Sequence, residues 1–343
     1  MECKKVKFAI VGLNNFGRTH AKGIAENPDT AELVCVCDID EKILNERADT
    51  FGVERRYTDF YKMLEDGGFD CVILSTPDQI HAEHAVAACE AGYHVLCEKP
   101  LALTMEDCRA IDAAAKAAKG KFMVGQICRK TPGFIRAKEL IDEGRIGEIF
   151  FIESEYAHDY AHIVSPWRWD TVNLRPAITG GGCHAVDLIR WLAGDPIEVM
   201  AYSNHKCLLD KPCDDATISI LKFENNVMGK VFCSIGCKRY YTMRTVIYGT
   251  KGTIICDNRS PEITLYEMGE LDDNGHEKYP AKPFPVDINH HNATGEIKDM
   301  CDIILGDLPV EITAAEGANT VAVCEAILKS CETGKPTAPE YIK

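Results

Sequence analysis

No C-x-x-C pair occurs among the 17 cysteines of this 343-residue chain, so the zinc-ribbon and thioredoxin spacings are absent. No apolar run reaches the length of about 20 residues that a membrane-crossing helix needs. No signal-peptide apolar core precedes the first strand either; MECKKVKFAIVG runs straight into it. Positive charge is also scarce, since 38 Lys and Arg against 53 Asp and Glu give a formal net charge of −15. A nucleic-acid backbone or an anionic membrane attracts the opposite sign, so neither is expected as a partner. Low-complexity segments and internal repeats are missing as well. What is present is an ordinary globular composition, 46% hydrophobic and 27% charged, able to bury a core. Cys35, Cys37, Cys71 and Cys233 lie inside apolar runs, where a thiol behaves as a small hydrophobe. The expectation is a soluble, cytoplasmic protein with reduced thiols.

The first third alternates apolar runs with helical stretches. KFAIVGL, TAELVCVCDID, FDCVILSTP, YHVLCEKP and KFMVGQ are the runs. The helices are expected over 18–26, 41–50, the DFYKMLED segment, 82–90 and 105–119. Regular strand–helix succession implies right-handed crossovers and a parallel sheet covered on both faces. After about Gln126 the texture changes. One helix over 133–142 is followed by runs rich in β-branched and aromatic residues, such as EIFFIESEYAH, ATISILKFEN and MRTVIYGTKG. The pair Asn225–Asn226 and the segment Gly249–Gly252 have hairpin-turn composition. Helices over 292–305 and 313–331 close the chain. The expected fold is α/β: a doubly wound parallel sheet over residues 1–125, then an α+β domain over 126–343 with an open, mainly antiparallel sheet.

VGLNNFGRTH follows the first strand and opens a helix. Gly12 and Gly17 hold the first and last places of a G-x-G-x-x-G fingerprint, with Asn14 in the middle place. Such a loop brings a pyrophosphate to a helix N-terminus, where unpaired N–H groups and the helix dipole meet it. Gly12, Asn14, Asn15, Phe16 and Gly17 are the expected cradle, and Asn14 is expected to tolerate the unusual backbone angles of the glycine it replaces. Asp38 ends the second strand about 20 residues further on, where an acid hydrogen-bonds a ribose 2′-OH. A carboxylate there, with no arginine after it, favours NAD over NADP. Ser75, Thr76, Pro77 and His81 follow the next strand on the edge that faces a cofactor crevice.

VLCEKPLAL breaks an apolar run with Glu98, Lys99 and Pro100. Proline cannot donate to a ladder, so the charged pair belongs at the carboxyl end of a strand. From VGLNNFGRTH through Asp38, STPDQIH and CEKP, and on to GRIGEI and IYGTKGTI, the chain resembles the Gfo/Idh/MocA oxidoreductases, the group of glucose-fructose oxidoreductase and inositol dehydrogenase. The resemblance implies a Rossmann domain followed by a substrate-binding and oligomerisation domain, assembled as a homodimer or homotetramer through the open sheet. It makes Lys99 the catalytic lysine. Oxidising an alcohol requires removal of the hydroxyl proton, and a lysine in a partly dry crevice shifts its pKa downward readily. Glu98 is expected to touch the cofactor ribose or to orient Lys99.

The segment ITGGGCHAVDLIRWLAGDP carries His184 and Asp187, three apart and so on one helix face. The resemblance places an Asp-x-x-x-His-x-x-Asp pattern here; His184 and Asp187 match its last two positions, and Gly180 stands where the first aspartate belongs. His184 suits acid–base chemistry. Asp187 either orients His184 or pairs with Arg190. The loop EYAHDYAHIVSPWRWD gathers His158, Tyr160, Trp167 and Arg168, groups suited to a sugar ring or equally to a subunit interface. Arg129 is expected at the crevice mouth, reaching substrate or cofactor phosphates. No metal is expected, because the His and Cys spacings match no standard zinc pattern.

The expected function is NAD-dependent hydride transfer at a hydroxyl-bearing carbon of a sugar, cyclitol or glycoside. Two alternatives stand beside it. One is a glycoside-cleaving enzyme that recycles tightly bound NAD through transient sugar oxidation. The other is a dinucleotide sensor without chemistry.

Overall fold

The computed structural model describes residues 5–288 and 291–342. These fall into two compact units, one comprising the described residues up to Ile127 with Asn292–Val321 and Ile342, the other Cys128–His291 and Ala322–Tyr341.

The first unit opens with β1 (Val6–Val11), α1 (Asn15–Ala25), β2 (Ala31–Cys37), α2 (Glu41–Phe51), β3 (Arg55–Tyr57) and α3 (Phe60–Asp66). It continues with β4 (Cys71–Leu74), α4 (His81–Glu90), β5 (His94–Glu98), α5 (Met105–Ala117) and β6 (Phe122–Gly125). The six strands are all parallel and run in the order β3-β2-β1-β4-β5-β6. β1 and β4 are apolar almost throughout because helices bury them on both faces. Local chemistry sets the helix starts: Asp40 caps α2 by accepting from Lys42 N and Ile43 N, and Thr104 caps α5 by accepting from Asp107 N. The strand order reverses between β1 and β4, the place where open α/β sheets bind ligands.

The second unit comprises α6 (Pro132–Asp142), β7 (Ile149–Ala157), α7 (Ala177–Gly180), α8 (Cys183–Ala193), β8 (Glu198–Asn204), β9 (Ala216–Lys222) and β10 (Met228–Ser234). β11 (Thr242–Gly249), β12 (Gly252–Asp257), β13 (Glu262–Glu267) and β14 (Ala281–Pro285) complete its sheet. The eight strands run β14-β13-β12-β11-β7-β10-β9-β8, and among the described pairs only β7–β10 is parallel. α8 packs on β7, β10 and β11. Strand β9 alternates strictly, burying Thr217, Ser219 and Leu221 and exposing Ile218 and Ile220.

The two units differ in extent from the segments 1–125 and 126–343. Residues 126–343 do not stay together, because α9 (Ala293–Gly306) returns to pack against α1 of the first unit. Gly23 permits the approach: a Cβ there would lie 3.0 Å from the Ala293 backbone. The last helix, α10 (Ala314–Thr333), belongs to the first unit up to Val321 and to the second beyond it. No helix among the described residues is long and apolar enough to cross a membrane, and the described cysteines are thiols rather than disulfides.

Candidate active site

Strand register builds the site of the first unit. Val11 pairs with Cys37 on one side and Leu74 on the other, and Leu74 pairs with Cys97. Gly12, Asp38, Ser75 and Glu98 therefore emerge together at one edge of the sheet. Gly12 has φ +82°, and a Cβ on it would meet the Ser75 carbonyl at 2.6 Å; a Cβ on Gly17 would meet the Gly12 carbonyl at 1.9 Å. Both positions therefore need glycine. Asn14 corrects the expectation of strained angles: its φ of −77° and ψ of 178° are ordinary extended values, and its side chain caps α1 by accepting from Asn15 N. The middle glycine is dispensable here because the helix starts on a capping residue. Asn15 lies exposed in the first turn, and the half-buried Phe16 ring sits 5.6 Å from the Lys99 ammonium.

Asp38 accepts from Leu13 N at 2.7 Å and from Asp40 N at 3.0 Å, tying the glycine loop to the end of β2. The hydroxyls of Ser75 and Thr76 are buried without a protein partner. Buried hydroxyls without a partner are costly, and beside a loop that excludes Cβ atoms they fit a polar ligand such as a dinucleotide. Pro77 initiates a short 3₁₀ turn over Asp78–Ile80. His81 is fully buried, with ring nitrogens 3.0 Å from the carbonyls of Pro100 and Thr76. It braces the loops after β4 and β5.

Glu98 and Lys99 are 5% and 8% exposed, so the charged pair lies inside the unit rather than in solvent. Glu98 Oε1 is 2.7 Å from His20 Nε2, and Glu98 Oε2 accepts from the Lys99 backbone N–H at 3.2 Å. Burial alone would raise the Glu98 carboxyl, but the His20 hydrogen bond and charge, and then the Lys99 charge, hold it below the ordinary range. His20 and Glu296 carried no motif signal. His20 is one helical turn beyond the glycine loop, and Glu296 is distant in sequence, so only the return of α9 reveals the cluster.

The second unit carries its own set. His184 is 2% exposed at the start of α8; its Nδ1 lies 3.2 Å from Cys128 Sγ, and its ring stacks on Tyr156 with centroids 6.1 Å apart. Tyr156 OH bonds Tyr160 OH at 2.7 Å and lies 3.3 Å from His158 Nδ1. Tyr241 adds a ring 5.0 Å from His158. Burial, followed by neighbouring ionisable groups, pushes the Tyr156 and Tyr241 phenols well above their usual range, so both are neutral donors. Burial, then His162 and Arg168, lowers His158. The Arg168 guanidinium lies 4.7 Å from the Trp167 ring centroid and 5.3 Å from that of Tyr160. Tyr156 and Tyr241 escape a sequence search because they look like ordinary inward-facing sheet residues.

Two further differences concern charge. Arg129 is 4% exposed and gives Asp187 a two-point contact at 2.8 and 2.7 Å, so it serves the core rather than an open mouth. Asp187 receives that contact, whereas Arg190 donates to Asp195 at 2.6 Å. At Gly180, a Cβ would fall 1.9 Å from Arg175 Nη1, and Arg175 Nη2 donates to the Gly180 carbonyl at 2.9 Å. A buried cation thus fills the space where the resemblance expects an aspartate.

Comparison with known proteins agrees with this geometry. A family described as oxidoreductases with an NAD-binding Rossmann fold matches residues 6–126, and the Gfo/Idh/MocA C-terminal domain matches residues 134–255. Levoglucosan dehydrogenase of Pseudarthrobacter phenanthrenivorans is 30% identical over 86% of each chain. Inositol 2-dehydrogenase 2 of Saccharopolyspora erythraea is 28% identical over 98% of this chain and 96% of its own. A solved levoglucosan dehydrogenase complexed with NADH and L-sorbose aligns with a TM-score of 0.90 at 25% identity, over 99% of this chain and 100% of that one.

Proposed function

We propose, from the chain's membership of the Gfo/Idh/MocA oxidoreductases, that it is an NAD-dependent dehydrogenase of sugars or cyclitols in which Lys99 handles the hydroxyl proton. Membership makes the first unit an NAD-binding Rossmann fold. Relatives named for inositol and levoglucosan support a polyhydroxylated ring as substrate. The observation that carries the reading is a buried Lys99 at the carboxyl end of β5, on the same sheet edge as a loop that tolerates only glycine at its first and last places.

Gly12, Gly17 and the N-terminal turn of α1 would hold the pyrophosphate, Asp38 the ribose, and Ser75 and Thr76 further polar atoms of the dinucleotide. The bound dinucleotide supplies the hydride acceptor. Lys99 takes the hydroxyl proton as the carbonyl forms, and Glu98 fixes the Lys99 backbone through its N–H. In the second unit, Cys128 and Tyr156 orient the His184 ring, a group suited to proton exchange. The hydroxyls of Tyr156 and Tyr160, with His158, Trp167 and Arg168, supply hydrogen-bonding groups and ring faces suited to a sugar. Self-association through the outward face of the eight-stranded sheet belongs to the same reading, and the many buried thiols support a reducing, cytoplasmic setting.

The test is reduction of NAD, followed by absorbance, across a panel of inositols, hexoses and glycosides. Lys99→Met should lower kcat by about 10²–10⁴-fold, the usual worth of an acid–base group, while NAD still binds. Full turnover by that variant would remove Lys99 from the mechanism. Release of aglycone without net change in NAD would instead support the recycling alternative.

A further inference from the structure

A buried charge cluster lies behind Lys99. His20 of α1 is fully buried, with Glu98 of β5 at 2.7 Å from Nε2 and Glu296 of α9 at 3.9 Å from Nδ1. One side-chain nitrogen or oxygen from each of the three residues lies within 4.8 Å of those of the others. Glu296 is 1% exposed. A neutral imidazole has one N–H and one lone pair. With a carboxylate facing each nitrogen, the neutral ring would turn its lone pair toward a negative oxygen, whereas the cation presents a proton to both.

We infer that His20 is held as an imidazolium and acts as a positioning residue, keeping Glu98 ionised so that Glu98 can fix the backbone of Lys99. The His20 cation then offsets the buried charge of Glu98, which burial would otherwise forbid. Burial by itself would lower His20; the hydrogen bond and charge of Glu98, then the charge of Glu296, outweigh it and raise His20 above 6.5. Among the described residues, no other charged side chain on the strands and helices packed on α1 is fully buried, Asp302 of α9 being half-buried. β4 is uncharged, Lys7 of β1 and Glu32 of β2 are exposed, and on α9 Lys298 is exposed and Asp299 half-buried. The network links the helix of the glycine loop, the strand that carries Lys99 and the returning helix α9. Removing the proton from His20 would leave Glu98 facing the uncharged ring, so the carboxylate would lose the charge that anchors it at 2.7 Å and its hold on the Lys99 backbone would loosen.

The role assigned to Lys99 rests on the proposed function, but the charge state of His20 does not. The decisive measurement is a pH titration of the imidazole nitrogens by ¹⁵N NMR in the full chain, with His20→Gln to assign the signal. One histidine should keep both nitrogens protonated above the ordinary histidine midpoint, at a pH where the other imidazoles have titrated, and that signal should vanish in the variant. Glu296→Gln, which keeps the shape, should move the same titration to lower pH. In turnover, the alkaline limb of kcat should follow the His20 midpoint and shift with it in Glu296→Gln, while the Kd for NAD changes less than twofold. A ring that is neutral in the ordinary range, a metal-bound ring, or a titration unmoved by Glu296→Gln would overturn the inference. Should His20→Gln fail to fold, the Glu296→Gln shift still decides it. Should no polyol be oxidised, the NMR result stands alone and the failure belongs to the proposed function.

Discussion

Single side chains explain why this chain departs from the pattern its resemblance implies. Gly180 is required by its neighbour. The Arg175 guanidinium occupies the volume a side chain at 180 would need, and it is anchored by the Gly180 carbonyl and by the Trp167 ring 5.7 Å away. Restoring the aspartate alone should therefore overpack the turn. Gly180→Asp is expected to cost about 1–3 kcal/mol, as overpacked sites do, read from the urea midpoint. Removing the obstruction with Arg175→Ala should make the two changes strongly non-additive, because contacting residues couple. The double variant should be more stable than the sum of the single effects. Strict additivity would show that Arg175 leaves the space without cost and that Gly180 has some other cause.

At the scale of elements, what could be read from the sequence depended on whether a signal was local. The parallel strands announced themselves as apolar runs closed by Gly12, Asp38, Ser75 and Glu98, and register then brought those ends to one edge. Strand β3 was missed because three residues carry no period. β14 was missed because AKPFP holds two prolines, tolerated on the edge it occupies. The return of α9 was illegible for a different reason: only packing against α1 reveals it, and with it the His20–Glu98–Glu296 cluster. The same limit hid the Arg129–Asp187 pair, whose partners are 58 positions apart. The glycine loop is the element most completely specified by sequence, and it is testable as such. Gly12→Ala would force a Cβ to within 2.6 Å of the Ser75 carbonyl at a φ of +82°. The loop should distort, weakening NAD binding by at least about tenfold, equivalent to 1.4 kcal/mol, in a calorimetric titration. Unchanged affinity would mean that the dinucleotide does not sit on this turn.

For the whole molecule, the remaining question is what covers the outward face of the eight-stranded sheet. Tyr202, Ile218 and Ile220 are 65%, 45% and 61% exposed, and pairing of β8 with β9 sets Tyr202 directly opposite Ile218. Met228 of β10 is 54% exposed. Nearby charges are paired, Lys230 of β10 with Glu153 of β7, and Arg239 of the β10–β11 connection with Glu155 of β7. An antiparallel sheet can leave one face in water, and self-association, if the proposed function holds, would use this apolar cluster. The chain's formal charge of −15 sets a long-range repulsion between copies, so association through this face should strengthen as salt screens it. Ile220→Glu places a like charge on each copy at the centre of the patch. Because the residue is largely exposed, the fold should lose no more than about 0.5 kcal/mol, while sedimentation velocity should show a smaller species than wild type at the same concentration. A variant that sediments as wild type does at both low and high salt would show that the sheet face is not where copies of this chain meet.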